Sequence, residues 1–375
     1  MNTFLSSEQS QYQASCQAFV QEKLCQAGIL KDLETNKEKQ KEVLSLIAQS
    51  GLIGASLPHE YGGQGKTFLH ACILAEELGT KDAGLSLVLA NHLSACHLIW
   101  RYGTDEQKSR YLPLLSRGES YATIAFGEEQ AGSDFSLIKT TAESNKLNGK
   151  KAWVVNGDMA YVALVLSRSS SNDQNQIWIV DLTSKNGVTV VKDRQKLGLK
   201  SASTVDIEFS SYAVDEKAAL CQSTTVNEAI EYALSLSKVL LSAGALGICE
   251  QAIKYSVSRA NEREQFGQTI GKFQAIQWKL ADMSTETSAA KLLTYRAAWS
   301  KDEDPDDFLK FAAMCKLFAA RVARLYSGEA AQIYGTLGIS EEEPMEKLYR
   351  DAKVIEVLEG TQEIQKNIVA SQVGA

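Results

Sequence analysis

The hydrophobic period of this chain changes twice, and each change marks a region that folds by different rules. Residues 1–118 read as helical, with Val43, Leu44, Leu46, Ile47 and Leu52 near one helical stripe. The run Leu57-Pro58-His59-Glu60-Tyr61-Gly62-Gly63-Gln64-Gly65 interrupts them as a glycine-rich loop, and Thr104 caps a later helix through Glu106, Gln107, Lys108 and Tyr111. In residues 119–225 the period becomes that of strands. Short runs rich in β-branched and aromatic residues occur at 153–155, 161–166, 177–180, 188–191 and 205–209. The pairs Asn148-Gly149, Asn156-Gly157 and Asn186-Gly187 supply turns between or beside them. No long helix separates the runs, which predicts an antiparallel sheet or barrel.

The helical period returns over residues 226–375, and residues 227–259 contain no proline. The centre of that stretch, Ser242-Ala243-Gly244-Ala245-Leu246-Gly247, is small enough for close helix–helix approach. Further helices are predicted over 273–299 and 306–334, separated by Asp302-Glu303-Asp304-Pro305-Asp306-Asp307, and a last one includes 353–358. Four helices with short links predict a bundle. The expected fold is mainly α, with a helical domain at 1–118, a central antiparallel β-barrel at 119–225 and a four-helix bundle at 226–375.

Composition excludes several classes. The net charge is −7, which disfavours a nucleic-acid-binding face because phosphate neutralisation needs a basic surplus. The cysteines Cys16, Cys25, Cys72, Cys96, Cys221, Cys249 and Cys315 are odd in number and form no C-x-x-C pair. They read as free thiols in a reducing compartment, so a cytoplasmic location is expected. The opening Met-Asn-Thr-Phe-Leu-Ser-Ser-Glu has neither the basic nor the apolar segment of a signal peptide. Residues 83–100 contain no charged residue, yet include Gly84, Asn91, His92, Ser94 and His97, so they read as a buried helix with no membrane role. The histidines His59, His70, His92 and His97 lack metal-ligand spacing, and no metal site is expected. Nucleophile-elbow, P-loop and G-x-G-x-x-G motifs are absent from the sequence.

Three patterns could carry chemistry. Phe126-Gly127-Glu128-Glu129-Gln130-Ala131-Gly132-Ser133-Asp134 offers small residues and amides to a phosphate or a flat ring. Arg263-Glu264-Gln265-Phe266-Gly267, followed by Phe273-Gln274, sets an arginine beside a glycine loop, a plausible pyrophosphate contact. Glu359-Gly360-Thr361-Gln362-Glu363 puts a carboxylate next to glycine near a helix end, where it could serve as a general base. Each alone is also what an ordinary loop or solvated surface looks like.

Together and in this order they resemble the acyl-CoA dehydrogenase family, over nearly the whole chain. Tyr102-Gly103-Thr104-Asp105-Glu106-Gln107-Lys108 through Pro113 is similar to the family's helix before the barrel. Glu128 to Asp134 resembles its T-E-P-x-A-G-S-D signature, and Leu147-Asn148-Gly149-Lys150-Lys151-Ala152-Trp153 with Asn156-Gly157 its L-N-G-x-K-x-W-I-T-N-G. Arg263 to Gly267, Phe273-Gln274, Gln332-Ile333-Tyr334-Gly335, Arg350-Asp351-Ala352-Lys353 and Glu359-Gly360-Thr361 complete the series.

The resemblance implies non-covalent FAD and a homotetramer or homodimer. It implies that Trp153 flanks the isoalloxazine, with Phe126, Gly127, Ser133 and Val155 along it and Thr361 and Glu363 near its ribityl–phosphate part. Arg263, Gln265, Phe266, Gln274, Gln332 and Gly335 would reach the FAD of a neighbouring subunit. Glu359 matches the base that removes the proton α to a thioester carbonyl, with flavin N5 as hydride acceptor; Lys238 and Gly360 would lie at the substrate. Burial between flavin and substrate would raise the pKa of Glu359.

The departures from the family pattern are expected to cluster around flavin and substrate. Gly127 and Val155 stand where the family has threonines, Glu129 where it has proline, Thr336 where it has the second glycine of Q-x-x-G-G, and Lys238 where an arginine is common. They tilt the expected substrate toward an acyl group on a carrier protein's phosphopantetheine, as in extender-unit formation for polyketide or nonribosomal peptide pathways. Residues 85–96 also have a general likeness to carrier-protein oxidases. In that branch a tethered aldehyde can replace the CH–CH bond as the group oxidised. Two alternatives stay open: an acyl-CoA dehydrogenase of fatty-acid or amino-acid breakdown, with an electron-transfer flavoprotein as partner, and a flavoprotein scaffold that has lost catalysis.

Overall fold

The computed structural model describes residues 5–26, 29–30, 32–169, 174–184, 186–221 and 225–374. Residues 1–4, the start of the stretch read above for a signal segment, lie outside the described residues. Five helices come first: α1 (Ser7–Phe19), α2 (Lys37–Gln49), α3 (Phe68–Gly79), α4 (Ala83–Tyr102) and α5 (Asp105–Ser116). Strands follow: β1 (Ala122–Ala125), β2 (Thr141–Glu143), β3 (Lys146–Val155), β4 (Val162–Arg168), β5 (Asn175–Asp181), β6 (Val188–Asp193) and β7 (Thr204–Ala213). Then come α6 (Val226–Glu262), the hairpin β8 (Glu264–Gln265) and β9 (Gln268–Thr269), α7 (Gln274–Glu303), α8 (Pro305–Tyr334), α9 (Met345–Val357) and α10 (Gln362–Gln372). These residues form two compact units. Met1–Ala71, Leu87–Gln195 and Lys200–Ser237 make the first; Cys72–Ser86, Lys196–Leu199 and Lys238–Ala375 make the second.

In the first unit, Thr104 and Gln107 form a reciprocal capping box at the start of α5, so two amides that the helix cannot satisfy find partners. The Gln107 amide also donates to the Lys217 and Ala219 carbonyls, each at 2.8 Å. His92 is structural. Its Nδ1 accepts from the Ala122 amide at 3.1 Å, and its Nε2 lies 3.1 Å from the Leu115 carbonyl. Burial pushes its imidazole down to about 4, so the ring stays neutral. The apolar window of α4 is 94% buried, as the polar residues within it led us to expect.

The sheet differs from the expected antiparallel barrel in two ways. Its order is β1-β4-β2-β3-β7-β6 with β5 on β4, and β1 runs parallel to β4, from Ala122 opposite Val162 to Ala125 opposite Val165. β2 also meets β4 in parallel, at Thr141 and Arg168. Among the named strands β5 pairs only with β4 and β6 only with β7, so the sheet is mixed and open. Side-chain alternation has a period of two in either strand direction, so the sequence pattern carries no information on which way a strand runs. One turn also moves. Ser144 and Asn145, at φ 48° and 60°, join β2 to β3, whereas Asn148 and Gly149 lie inside β3 at a register shift against β7. Leu147, Val154, Val165, Val180, Val205, Ile207 and Phe209 fill the core of this sheet.

In the second unit the small centre of α6 does what its composition predicts. A Cβ on Gly247 would sit 2.4 Å from the Gly79 carbonyl carbon, and one on Gly79 2.4 Å from the Gly244 oxygen. Backbones therefore approach where side chains would separate them. The expected last helix is two, α9 and α10, so five helices rather than four follow residue 226 among the described residues. The break falls at Glu359 and Gly360, at φ 56° and 91°. An α-helix cannot pass through two successive left-handed residues. All seven cysteines are free, and among the described residues no group of acidic, histidine or cysteine side chains is arranged to hold a metal.

Candidate active site

The first unit carries five of the residues singled out for a flat cofactor. Phe126 ends β1 and is buried, and the Gly127 carbonyl accepts from the Ala152 amide of β3 at 3.1 Å. Glu128 and Ala131 exchange backbone hydrogen bonds of 3.1 and 3.0 Å, which closes the loop tightly. Behind it lies Lys151, fully buried, which sequence reading passed over. Its Nζ donates to the Phe126 carbonyl at 3.0 Å and to Glu128 Oε1 at 2.8 Å. The Glu128 carboxylate also accepts from the amides of Lys139 and Thr140, at 2.8 and 3.0 Å. Burial alone would push the Glu128 carboxyl up; the Lys151 charge and these hydrogen bonds outweigh it and hold it at about 2. Burial brings Lys151 down to about 8 against the pull of Glu128, so both are charged at neutral pH.

Trp153 sits at the β3 irregularity between Lys151 and Val154, with φ 60° and 45% of its surface exposed. The left-handed residue turns this ring away from the alternation of the strand. The Arg194 guanidinium covers it at 4.9 Å from the ring centroid. Arg194 in turn grips buried Asp206 through two hydrogen bonds of 2.8 and 2.6 Å and pairs with Glu129. Asp206 also accepts from the Trp153 amide at 3.2 Å. The departure Glu129 therefore reaches Arg194, the residue that covers Trp153. Val155 is buried and its carbonyl accepts from Thr123 Oγ1 at 2.6 Å; Ser133 is exposed. A Cβ on Gly127 would meet nothing closer than 3.8 Å, so neither sterics nor backbone angle demands glycine there.

The second unit brings the remaining residues together in two places. The first is the break between α9 and α10, which holds Glu359, Gly360, Thr361 and Glu363. Fully buried Lys316 of α8 donates to the Gly360 carbonyl at 2.6 Å and the Glu356 carbonyl at 3.0 Å. Buried Gln365 donates to the Glu359 and Gly360 carbonyls at 3.1 and 3.0 Å. A Cβ on Gly360 would lie 2.6 Å from that amide nitrogen and displace it, and φ 91° itself favours glycine here. Lys238, on α6 and also buried, opposes the charge on Lys316. Neither Lys316 nor Gln365 was found from sequence. The signal for Lys316 was present, since it shares a helix stripe with Ala312, Ala319, Ala320 and Ala323.

The second place is the β8–β9 hairpin with the ends of α7 and α8. Phe266 and Gly267 form the hairpin tip at φ 53° and 80°, and the Phe266 ring is 94% exposed. Arg263 and Gln265 beside it are exposed too, and Gln274 starts α7. Gln332 lies in the last turn of α8, and Gly335 follows as its cap at φ 64°. The Arg259 guanidinium, 5.4 Å from the Tyr334 ring centroid, ties the end of α6 to that of α8. Lys316 and Gln332 are separated along one helix by roughly 24 Å at 1.5 Å per residue. The hairpin set and the Glu359 set thus occupy different ends of this unit.

These residues fit a flavin dinucleotide in kind: a half-exposed indole held flat by a cation, an open glycine beside it, and an exposed arginine and aromatic ring elsewhere.

Three family models match successive parts of the chain: acyl-CoA dehydrogenase N-terminal domain over residues 6–119, middle domain over 123–212 and C-terminal domain over 228–374. Acryloyl-CoA reductase (NADH) of Anaerotignum propionicum is 36% identical over 335 residues, covering 87% of this chain and 85% of that protein. Among solved structures, butyryl-CoA dehydrogenase from Megasphaera elsdenii superposes with TM-score 0.92 at 31% identity over the full length of both chains. The prolyl acyl carrier protein oxidase AnaB does so with TM-score 0.91 at 30% identity over 99% of this chain and 100% of that one.

Proposed function

The chain belongs to the acyl-CoA dehydrogenase family, and from that premise we propose that it interconverts a saturated and an α,β-unsaturated acyl-CoA with Glu359 as the proton-transferring group. It is an FAD-dependent oxidoreductase of the acyl-CoA dehydrogenase type. The observation that carries the reading is the Glu359–Gly360 break. Two left-handed residues, their carbonyls held by Lys316 and Gln365, interrupt the helices at a carboxylate-bearing residue.

FAD, when bound, supplies the two-electron acceptor that neither side chains nor CoA provide. Phe126, Gly127, Ser133, Trp153 and Val155 would hold its ring, and Thr361 and Glu363 its ribityl–phosphate part. The rest of the work falls to the chain. Glu359 takes the proton from the carbon α to the thioester and, in the reverse direction, returns it. Fixing the Glu359–Gly360 backbone holds the carboxylate in one orientation, so little reorganisation remains at the moment of transfer. Lys238, buried on α6, would add positive charge near the thioester. Arg263, Gln265, Phe266, Gln274, Gln332 and Gly335 would complete the cofactor site of a neighbouring copy in a homotetramer or homodimer, consistent with their exposure at the far end of α8. An electron-transfer flavoprotein is the proposed redox partner, in the cytoplasm.

A second reading, in which the acyl group rides on a carrier protein, is favoured by the near-complete superposition on AnaB. The first experiment is anaerobic visible absorbance of the purified flavoprotein before and after a panel of acyl-CoAs. Bleaching by one of them supports the acyl-CoA reading and gives its chain length. An unbleached band with every acyl-CoA, and bleaching by the same acyl groups on phosphopantetheinylated carrier protein, supports the second. Failure with both supports the inactive scaffold.

A further inference from the structure

We propose that Lys316 is a positioning residue for this reaction, pinning the α9–α10 break through the Glu356 and Gly360 carbonyls and supplying the positive charge that faces the Glu359 carboxylate. The inference rests on Glu359 being the base. A lysine on the buried stripe of α8, among alanines, loses its hydration and must find acceptors. It finds the Glu356 carbonyl in the last turn of α9, where helical carbonyls lack partners of their own, and the Gly360 carbonyl in the break beyond it. A cation there also opposes the negative end of the helix. Both bonds go to neutral oxygens, so the ammonium charge is left to act on what surrounds it.

The charged groups around it are few. Glu359 lies at the break, Glu356 on α9, Glu363 on α10 and Lys238 on α6. The Glu356 carboxylate is already engaged by Arg324 at 2.9 Å, Lys353 at 2.6 Å and Gln362 at 2.5 Å. Burial draws the Lys316 ammonium down to about 8, and Glu359 is the strongest influence in the other direction. At neutral pH Lys316 is therefore protonated and favours the anionic form of Glu359, which is the form a base needs. Gln365 offers an internal control, since it holds the same Gly360 carbonyl, together with that of Glu359, without charge.

The test uses the FAD holoenzyme with a reactive acyl thioester and three variants: Lys316→Gln, Gln365→Met and Glu359→Gln. The readouts are the pH dependence of anaerobic flavin reduction and the deuterium exchange of residues 353–368. Lys316→Gln is expected to move the acidic limb upward by about one pH unit, the low end of the effect of a nearby opposite charge, and to speed exchange. Gln365→Met is expected to speed exchange and lower the rate while leaving the limb in place. An unmoved limb in Lys316→Gln, or an equal shift in Gln365→Met, overturns the proposal. Unimpaired reduction by Glu359→Gln would instead overturn the base assignment, and exchange alone would then judge the pinning. Should Lys316→Gln fail to fold, the wild-type protein decides. Protection of residues 353–368, corrected for intrinsic rate, should fall between pH 7 and 9 as the ammonium is lost, because charge-assisted hydrogen bonds are roughly twice as strong as neutral ones. Constant protection would overturn it.

Discussion

Two buried lysines, one in each unit, support motif residues, and they do so differently. Lys151 touches a carboxylate, Glu128, at 2.8 Å, while Lys316 touches only carbonyls, at 2.6 and 3.0 Å. Burial draws both down to about 8. The first charge is spent locally, and the loop behind Phe126 and Gly127 gains shape from it. The second is not matched by a contacting acid, and its nearest consequence falls on Glu359. A buried lysine is thus a strut where an acid meets it and a source of field where none does. The motif residues divide likewise: Gly127 and Glu129 in the loop after β1, and Val155 at the end of β3, depart from the family motifs that resemblance sets beside them, whereas Glu359, Gly360 and Thr361 match theirs.

The largest effect expected from breaking this contrast is at Glu359. Glu359→Gln should lower the rate of anaerobic flavin reduction by about 10²- to 10⁴-fold, the usual worth of a general base. Its flavin content should stay at the wild-type level. A variant that reduces at the wild-type rate would move the base elsewhere and leave Lys316 without a function in catalysis.

Lys151→Met should act on stability instead. Removing one partner of a buried ion pair typically costs about 3–5 kcal/mol, because the other charge is left unpaired. Urea unfolding of the variant should show that loss, and Lys151→Met with Glu128→Leu should recover most of it. The acid dependence has a defined sign. Glu128 is held at about 2 in the fold, below its unpaired value of 4.5. Its contribution is fully present above pH 4.5 and is lost as pH falls through about 2. A wild-type protein whose stability is flat across that window would show that the pair is not ionised.

Much of the frame was legible because it rests on local chemistry. The small residues of α6 predicted close backbone approach, and Gly79, Gly244 and Gly247 deliver it. Thr104 was found as a cap because capping needs only three neighbouring residues. What failed depends on distant partners. Parallel pairing of β1 with β4 is decided by the connection between them. Asn148-Gly149 looked like a turn, yet Ser144-Asn145 took the left-handed angles four residues earlier and left Gly149 in the strand. The motif residues stand in the sequence as a series, whereas Lys151 and Gln365 give no local sign of burial; for Lys316 the alanine stripe marks a buried face but not the acceptors that let a lysine lie there. A lysine in a sequence reads as solvent-facing until the acceptor that buries it is known.

Restoring the family threonines should have a moderate effect. Gly127→Thr meets no atom within 3.8 Å of its Cβ, and Val155→Thr is close to isosteric. Val155 is buried, so its new hydroxyl needs a partner, which the cofactor edge would provide. One ordinary hydrogen bond is worth about 0.5–1.5 kcal/mol, so the reduction rate should change by roughly 2- to 12-fold. Stopped-flow absorbance would detect it. Equal rates in wild type and both variants would mean that the lost hydroxyls had no bearing on the chemistry.

The smallest expected effect is at Glu129, and its smallness is informative. Glu129 pairs with Arg194, but its side chain is 68% exposed, and Arg194 keeps two hydrogen bonds to buried Asp206 without it. Exposed ion pairs contribute about 0–1 kcal/mol. Glu129→Gln should therefore leave thermal stability within that range and leave Trp153 covered, which indole fluorescence of the apoprotein would show. A larger loss would place Glu129 among the supports that hold the ring. The departures at the flavin edge would then form one coupled change in how Trp153 is held, in contrast to a frame that tolerates them one by one.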